Sequence, residues 1–433
     1  MTKFLILISL FLFLNGCSAD TKSGIWDGKK EEKKISKNEE ILFKKKDSFK
    51  KELNTNIKVN IDVNYSSLNF INNSNNNGIL NYDGNLEEIE TIKFSKIENF
   101  SSLKPELLVT KKSEIFFFDG KGSIFMMNEN FNVKWKQNIY SKKEKKLKPM
   151  VNFASQNNQL IITDNLSKYY SINIGNGEII WNKKNSSAFN SQIKVINEKF
   201  ITIDFDNTIR CFSVKNGDEI WNYKSENAFI KSPKKLSLVI YNDKVIFLNT
   251  NGDLNALNLK NGNLIWQTPT QSNASIADSF SLIFSDIVLN KNRLFFSNNK
   301  SEFFSINADN GSVLWLQKIK SSLRPTIIDK LIITISDEGF LILINSENGQ
   351  IIRSTNIKEL IKGFDDKNFQ NTGFVVAKNK IYLSNTLGTL LIIDLIDGQP
   401  KIVKKIHGDS ILRPYIHNKS MFLLTKNSIK KFN

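Results

Sequence analysis

His407-Gly408-Asp409-Ser410 brings the three side-chain types of a nucleophilic triad into four consecutive residues. A triad is assembled across a fold, with base, orienting acid and nucleophile at hydrogen-bond distance, so this stretch reads as a loop. His407 and His417 are the chain's two histidines, and neither stands in a metal-ligand spacing such as HExxH. Cys211 sits within Ile209–Val214, a strand by pattern, and reads as a small buried residue. Asp119-Gly120-Lys121-Gly122 has strand-like sequence on both sides, which makes it a hairpin turn and not a phosphate loop. No pair of carboxylates stands out for acid–base work. The residues predict a protein that is not an enzyme and holds no cofactor or metal.

The elements behind these residues are written several times over. Asn176-Gly177-Glu178-Ile179-Ile180-Trp181, Asn216-Gly217-Asp218-Glu219-Ile220-Trp221, Asn261-Gly262-Asn263-Leu264-Ile265-Trp266 and Asn310-Gly311-Ser312-Val313-Leu314-Trp315 share one form, with Gly four residues before Trp. Asn348-Gly349 and Asp397-Gly398 keep the turn but end on Arg353 and Ile402, while Trp135 keeps the Trp and has Phe131 at the Gly position. A self-similar period of about 40–50 residues means a propeller, solenoid or array. Asn-Gly favours a tight hairpin because both residues tolerate positive φ, and the flanking runs alternate apolar and polar. Within Leu236–Gln267 four strands are expected: Ser237–Tyr241, Lys244–Asn249, Asp253–Leu259 and Asn263–Thr268. Four antiparallel strands per repeat make a propeller blade.

Seven repeats are placed at 105–140, 149–187, 191–226, 236–270, 284–320, 325–358 and 371–406. The remainder, Pro414–Asn433, holds about three strands. The alternating segment Glu88–Lys96 is expected to supply the fourth by pairing with them, which gives an all-β, eight-bladed propeller whose last blade is closed by an N-terminal strand. Each repeated Trp lies on an outermost strand, where it would bury a large aromatic area against the next blade. Pro105, Pro149, Pro233, Pro325 and Pro414 open repeats, and Lys104, Lys148, Arg324 and Arg413 precede four of them. If each Pro opens an innermost strand, these cations ring one mouth of the central channel. Two readings stay open: an anion- or partner-binding mouth, or solvated charge at a recurring turn.

The N-terminus is different material. Lys3 precedes an apolar run, Phe4 to Leu14, that would rise only about 16 Å as a helix, too short to span a bilayer. Residues 1–16 therefore read as a signal peptide. The run ends in Leu14-Asn15-Gly16-Cys17, which resembles the bacterial lipobox and implies cleavage before Cys17 and acylation of that cysteine. Residues 17–85 are rich in Lys and Asn and carry no repeat, so they read as a mostly disordered tether with a reach of about 40–50 Å. Residues 86–433 make the propeller. The chain counts 60 Lys+Arg against 43 Asp+Glu, formally +17 over 433 residues. Those charges are dispersed among Asn and Ile with no nucleic-acid module, so no nucleic-acid partner is expected. A monomeric ring is.

The turn-Gly-x-x-x-Trp repeats resemble those of the pyrroloquinoline-quinone (PQQ) type propellers. One branch, the quinoprotein dehydrogenases, uses adjacent cysteines, a catalytic Asp and calcium ligands around the cofactor. Here Cys17 and Cys211 stand far apart. The other branch is the non-enzymatic BamB family of outer-membrane protein assembly factors, to which residues 86–433 are similar in repeat count and in a C-terminus that stops inside the last blade. That resemblance implies a lipid-anchored protein on the periplasmic side of the outer membrane of a Gram-negative-type bacterium. It also implies binding to the POTRA domains of BamA and assistance to insertion of outer-membrane proteins. Partner contacts in the family come from loops near the middle blades. The corresponding residues here are Phe229, Ile230 and Lys231 in one loop, and Ser285 and Asp286 in a second. A PQQ-dependent dehydrogenase and an envelope propeller with another partner remain as alternatives.

Overall fold

Short alternating runs bounded by Asn-Gly and related turns fold as the repeat period predicts. The structure, a computed structural model, describes residues 48–53, 73–98, 100, 104–225, 234–271, 282–359 and 369–433. The signal peptide, Cys17, Phe229, Ile230, Lys231 and Pro233 lie outside the described residues. Eight sheets of antiparallel strands form eight blades, and each of blades 1 to 7 runs in chain order from the centre outward. Blade 4 consists of Leu238–Tyr241, Lys244–Leu248, Asp253–Asn258 and Leu264–Pro269, within a residue or two of the predicted limits. The middle two strands of a blade are almost wholly buried, and the outer one is largely exposed. Adjacent sheets pack face to face: Cys211 and Trp221 of blade 3 share a core with Leu238, Phe247 and Leu257 of blade 4. Fully burying a side chain such as Phe247 contributes about 1.5–3 kcal/mol.

Blade 8 closes the ring as expected. Tyr415–His417, Ser420–Leu424 and Ser428–Phe432 are its inner three strands, and Glu88–Lys93 is its fourth. The register sets Thr91 opposite Lys430 and Lys93 opposite Ser428. The last sheet therefore holds both ends of the ring, which removes the gap between first and last blades.

The Gly and Trp of the repeat meet across blades, not within one. Trp221 of blade 3 lies under Gly262 of blade 4 and donates Nε1–H to the Leu259 carbonyl at 3.1 Å. Trp135, Trp181 and Trp315 do the same to Ile174, Val214 and Ser346, beneath Gly177, Gly217 and Gly349. Trp266 lies under Gly311 without that hydrogen bond. In blade 6, Arg353 replaces the Trp and keeps the contact: it lies under Gly398 and donates Nη2–H to the Leu395 carbonyl at 2.8 Å. The pairing accounts for the two irregular repeats. Phe131 takes the Gly position in blade 1 because the preceding blade is blade 8, whose closing strand carries Glu90 where a Trp would stand. Phe131 packs instead on Phe422, ring centroids 5.5 Å apart. Ile402 of blade 7 faces a blade with no third-to-fourth turn, since that fourth strand arrives from the N-terminus.

Part of the expected tether belongs to the propeller. Residues 73–80 cross the inner strands of blades 4 to 7: Ile240 and Leu289 donate backbone N–H to the carbonyls of Asn73 and Ser74, and Ile79–Leu80 pairs in parallel with Val376–Ala377. Asn75 is fully buried, and its Nδ2 reaches Gln192 Oε1, Ser237 Oγ and the carbonyls of Leu238 and Ile287 at 2.9–3.2 Å. Tyr82 and Leu86 then pack in the core between blades 7 and 8 on the way to the closing strand. Farther upstream, residues 48–53 lie on the outer edge of blade 6. A run of Asn and Ser looks like a solvated linker. It can instead fill a channel because its amides satisfy the inner strands' backbone groups.

Candidate functional site

The positions just before the inner strands converge at one end of the channel. Arg324 precedes blade 6, Asp286 blade 5, Glu106 blade 1 and Lys235 blade 4. Arg324 donates from Nε and Nη2 to Asp286 Oδ2 at 2.8 and 2.6 Å, and from Nη2 to Glu106 Oε1 at 3.0 Å. Lys235 Nζ donates to Glu106 Oε2 at 2.9 Å. Glu106 thereby ties blade 1 to blades 4 and 6, which are not its neighbours in the ring. Lys194 of blade 3 lies fully inside and donates to Asn75 of the channel segment.

The charges are set against strong burial. Burial alone would push the Glu106 carboxyl up; the Lys235 and Arg324 cations outweigh it and hold it below the ordinary carboxylate range. Burial opposes ionisation of Asp286 too, and Arg324 and Lys234 overcome it and hold that carboxyl well below the ordinary range. Burial pulls the Lys234 ammonium down to about 8 and the Lys194 ammonium well below its usual value. Arg413 is pulled to about 10 by burial and by its neighbour Arg324. The mouth is thus a cationic cluster organised around two internal acids.

A depressed carboxyl stabilises the fold at pH values above its unfolded pKa of about 4, and that contribution is lost as pH falls through the folded value. Thermal melts at successive pH are therefore expected to show a midpoint that drops below about pH 4. The drop should be shallower in the Glu106→Gln, Asp286→Asn double variant. Equal slopes in the two proteins would show that these acids do not govern acid stability.

Of the four cations expected to ring the mouth, Arg324 and Arg413 reach it; Arg413 Nε donates to the Phe374 carbonyl at 2.9 Å. Lys104 is within electrostatic range of Asp286, and burial lowers its pKa. Lys148 pairs instead with Glu98 on the surface. Ser285 is 1% exposed, and its Oγ accepts from the Ser297 N–H at 2.9 Å. Asp286 is taken up by Arg324. Both were expected in a partner-binding loop; the structure turns their side chains inward. The triad-like stretch gathers no triad. His407 Nδ1 accepts from the Asp409 backbone N–H at 3.1 Å, and Ser410 Oγ is buried without a hydrogen-bond partner. His417 Nε2 meets Ser113 Oγ at 2.9 Å, and burial lowers its pKa. Burial pushes the Cys211 thiol up to about 12, an unreactive setting. Among the described residues, no group of three or more His, Cys, Asp or Glu side chains gathers as a metal site.

The comparisons with known proteins fit this geometry. The chain resembles the crystal structure of BamB from Moraxella catarrhalis with a TM-score of 0.66 at 13% identity, covering 80% of this chain and 99% of that one. It also resembles a europium-containing methanol dehydrogenase (TM-score 0.62, 9% identity, 80% and 86% covered). The quinohemoprotein alcohol dehydrogenase of Comamonas testosteroni is similar too (TM-score 0.61, 9% identity, 82% and 78% covered). At these identities the likenesses show a shared propeller fold alone. No curated protein matches the sequence. The family model described as outer membrane protein assembly factor BamB matches residues 120–355, more than half of the chain. With its Trp–Gly seams and eight closed blades, the chain belongs to the BamB family of outer-membrane protein assembly factors.

Proposed function

We propose that this chain is a non-enzymatic scaffold lipoprotein of the outer-membrane β-barrel assembly machinery. It is anchored through acylated Cys17, faces the periplasm and binds the POTRA domains of BamA. The observation that carries this reading is the family match over residues 120–355. A rigid ring supports it physically. The inner strands of blades 4 to 7 engage the chain's own residues 73–80, and the channel mouth is cross-tied by Glu106 and Arg324. A scaffold works by presenting fixed surfaces, and inter-blade loops on such a frame are positioned for recognition.

The proposed contact is the connection that carries Phe229, Ile230 and Lys231; Ser285 and Asp286, whose side chains turn inward, would act on it only by shaping the entry to blade 5. A crosslinked pull-down of the tagged, membrane-extracted protein is expected to recover BamA, and Lys231→Glu to reduce that recovery several-fold. Lys231 is the informative position because reversing Asp286 would also strip Arg324 of one of its two acids. Recovery of other envelope proteins, with BamA present in the extract but unbound, would overturn the assignment. The quinoprotein alternative rests on fold alone. It predicts binding of PQQ with calcium and reduction of an artificial dye, and the scaffold reading predicts neither.

A further inference from the structure

The outer strands of a propeller are edge strands, with one row of backbone N–H and C=O groups open to pairing. In this ring the edges are protected at a fixed place. Three residues after the Trp position stand Lys184, Lys224, Lys318 and Lys405, and the closing strand of blade 8 has Lys93 at the same register, all exposed. Blade 4 has the exposed Pro269 there, which offers no N–H. Blade 1 has Asn138, but its strand carries Lys134 and Lys136. A lysine on an edge strand opposes pairing with another strand, because its charge would have to be buried.

Blade 6 is the exception. Its outer strand, Ile351–Asn356, has Asn356 at that register and neither Lys nor Pro along its length. Its one cation, Arg353, is buried and turned towards the Leu395 carbonyl of blade 7. This is also the edge that residues 48–53 cover. Leu53 and Ser354 exchange both backbone hydrogen bonds, at 2.9 and 3.1 Å. Asn356 N–H donates to Glu52 Oε1 at 3.1 Å on the same edge, and upstream Phe49 N–H donates to the Lys318 carbonyl at the end of blade 5 at 2.6 Å. Phe49 packs with Trp315 and Ile351 on the core between blades 5 and 6. Ser354, Thr355 and Asn356 are 0%, 2% and 9% exposed, whereas the corresponding residues of blade 2 run exposed, intermediate, exposed.

We propose that residues 48–53 are an intramolecular strand that guards the one outer blade edge among the described residues left without a lysine or proline, and that its removal opens blade 6 to pairing with the same edge of a second copy. The two devices do one job by different means: a charge on the strand itself, or a covering segment from elsewhere in the chain. The second copy is the natural occupant because two identical unguarded edges can pair antiparallel about a two-fold axis, each supplying the donors the other lacks.

The test is an in-frame deletion of residues 48–53 in the otherwise complete chain, measured by size-exclusion chromatography with light scattering over a wide range of concentration. The parent is expected to stay at the monomer mass. The deletion protein is expected to shift to twice that mass as concentration rises. Adding Asn356→Lys to the deletion protein, which installs the residue that blades 2, 3, 5 and 7 carry there, is expected to restore the monomer. A deletion protein that stays monomeric while its Ser354 amide exchanges freely with solvent would overturn the proposal. So would association that Asn356→Lys leaves unchanged, since the contact would then lie elsewhere. Leu53→Pro in the full chain removes the Leu53 N–H donor without shortening the tether; it carries the same readouts should the deletion protein fail to fold.

Discussion

Gly262→Val is expected to cost about 3–5 kcal/mol of stability, the range of the largest single-residue effects. Two costs combine. Gly262 has φ +76°, where a β-branched residue is strained by about 1–3 kcal/mol. A Cβ there would also lie 2.6 Å from Trp221 Cε3, so the indole must move. Moving it breaks the bond to the Leu259 carbonyl and opens the seam between blades 3 and 4. Trp221→Ala alone is expected to cost about 3–5 kcal/mol. The two changes should not add. With the indole gone the added Cβ meets no ring, and only the backbone strain remains, so the double variant should lie well short of the sum. Gly408→Ala is the control, because nothing lies within 4 Å of a Cβ at that position. Denaturant midpoints for the four variants test the cycle, and strict additivity would mean that Gly262 and Trp221 do not act as a pair.

That cycle also marks what the sequence could and could not tell. Period, turn chemistry and alternation are local properties, so the blades, their order and the closing strand Glu88–Lys93 were readable from residue types alone. The seam was half readable. Gly and Trp recur together within a repeat, but their partners lie in neighbouring repeats, and only the ring explains why Phe131 and Ile402 break the pattern. A further signal was present and unused. Asp119, Asp164, Asp204, Asn249, Asn298 and Asn385 each close the second strand of a blade and accept the N–H groups two and four residues on, as Asp164 does from Leu166 and Lys168 at 2.8 Å. The channel segment was not readable. Asn73–Asn77 has the composition of a linker, and its burial depends on inner-strand donors hundreds of residues away. The charged mouth fell between: Arg324 was singled out as a cation, but its two acids, Asp286 from the adjacent blade 5 and Glu106 from blade 1, gather around it only once the ring closes.

At that mouth, Arg324→Ala is expected to cost about 3–5 kcal/mol, because it takes from a buried carboxylate the guanidinium that hydrogen-bonds it. Arg324 is 5% exposed by its side chain and serves two acids from two blades. Removing it takes from Asp286 both of its guanidinium hydrogen bonds. Glu106 keeps Lys235, so the loss should fall chiefly on Asp286. Lys235→Ala should cost less, since its side chain is 21% exposed and Glu106 keeps Arg324. Arg324→Lys should not rescue, because a single ammonium cannot present Nε and Nη2 donors to two carboxylates in one plane. The decisive comparison is Arg324→Ala with Arg324→Ala, Asp286→Ala. If the cost comes from a stranded anion, removing the acid as well should recover about 1–3 kcal/mol. Further loss on the second substitution would mean that Asp286 holds the mouth through contacts other than Arg324, and that the ring is tied at its centre by packing and not by charge.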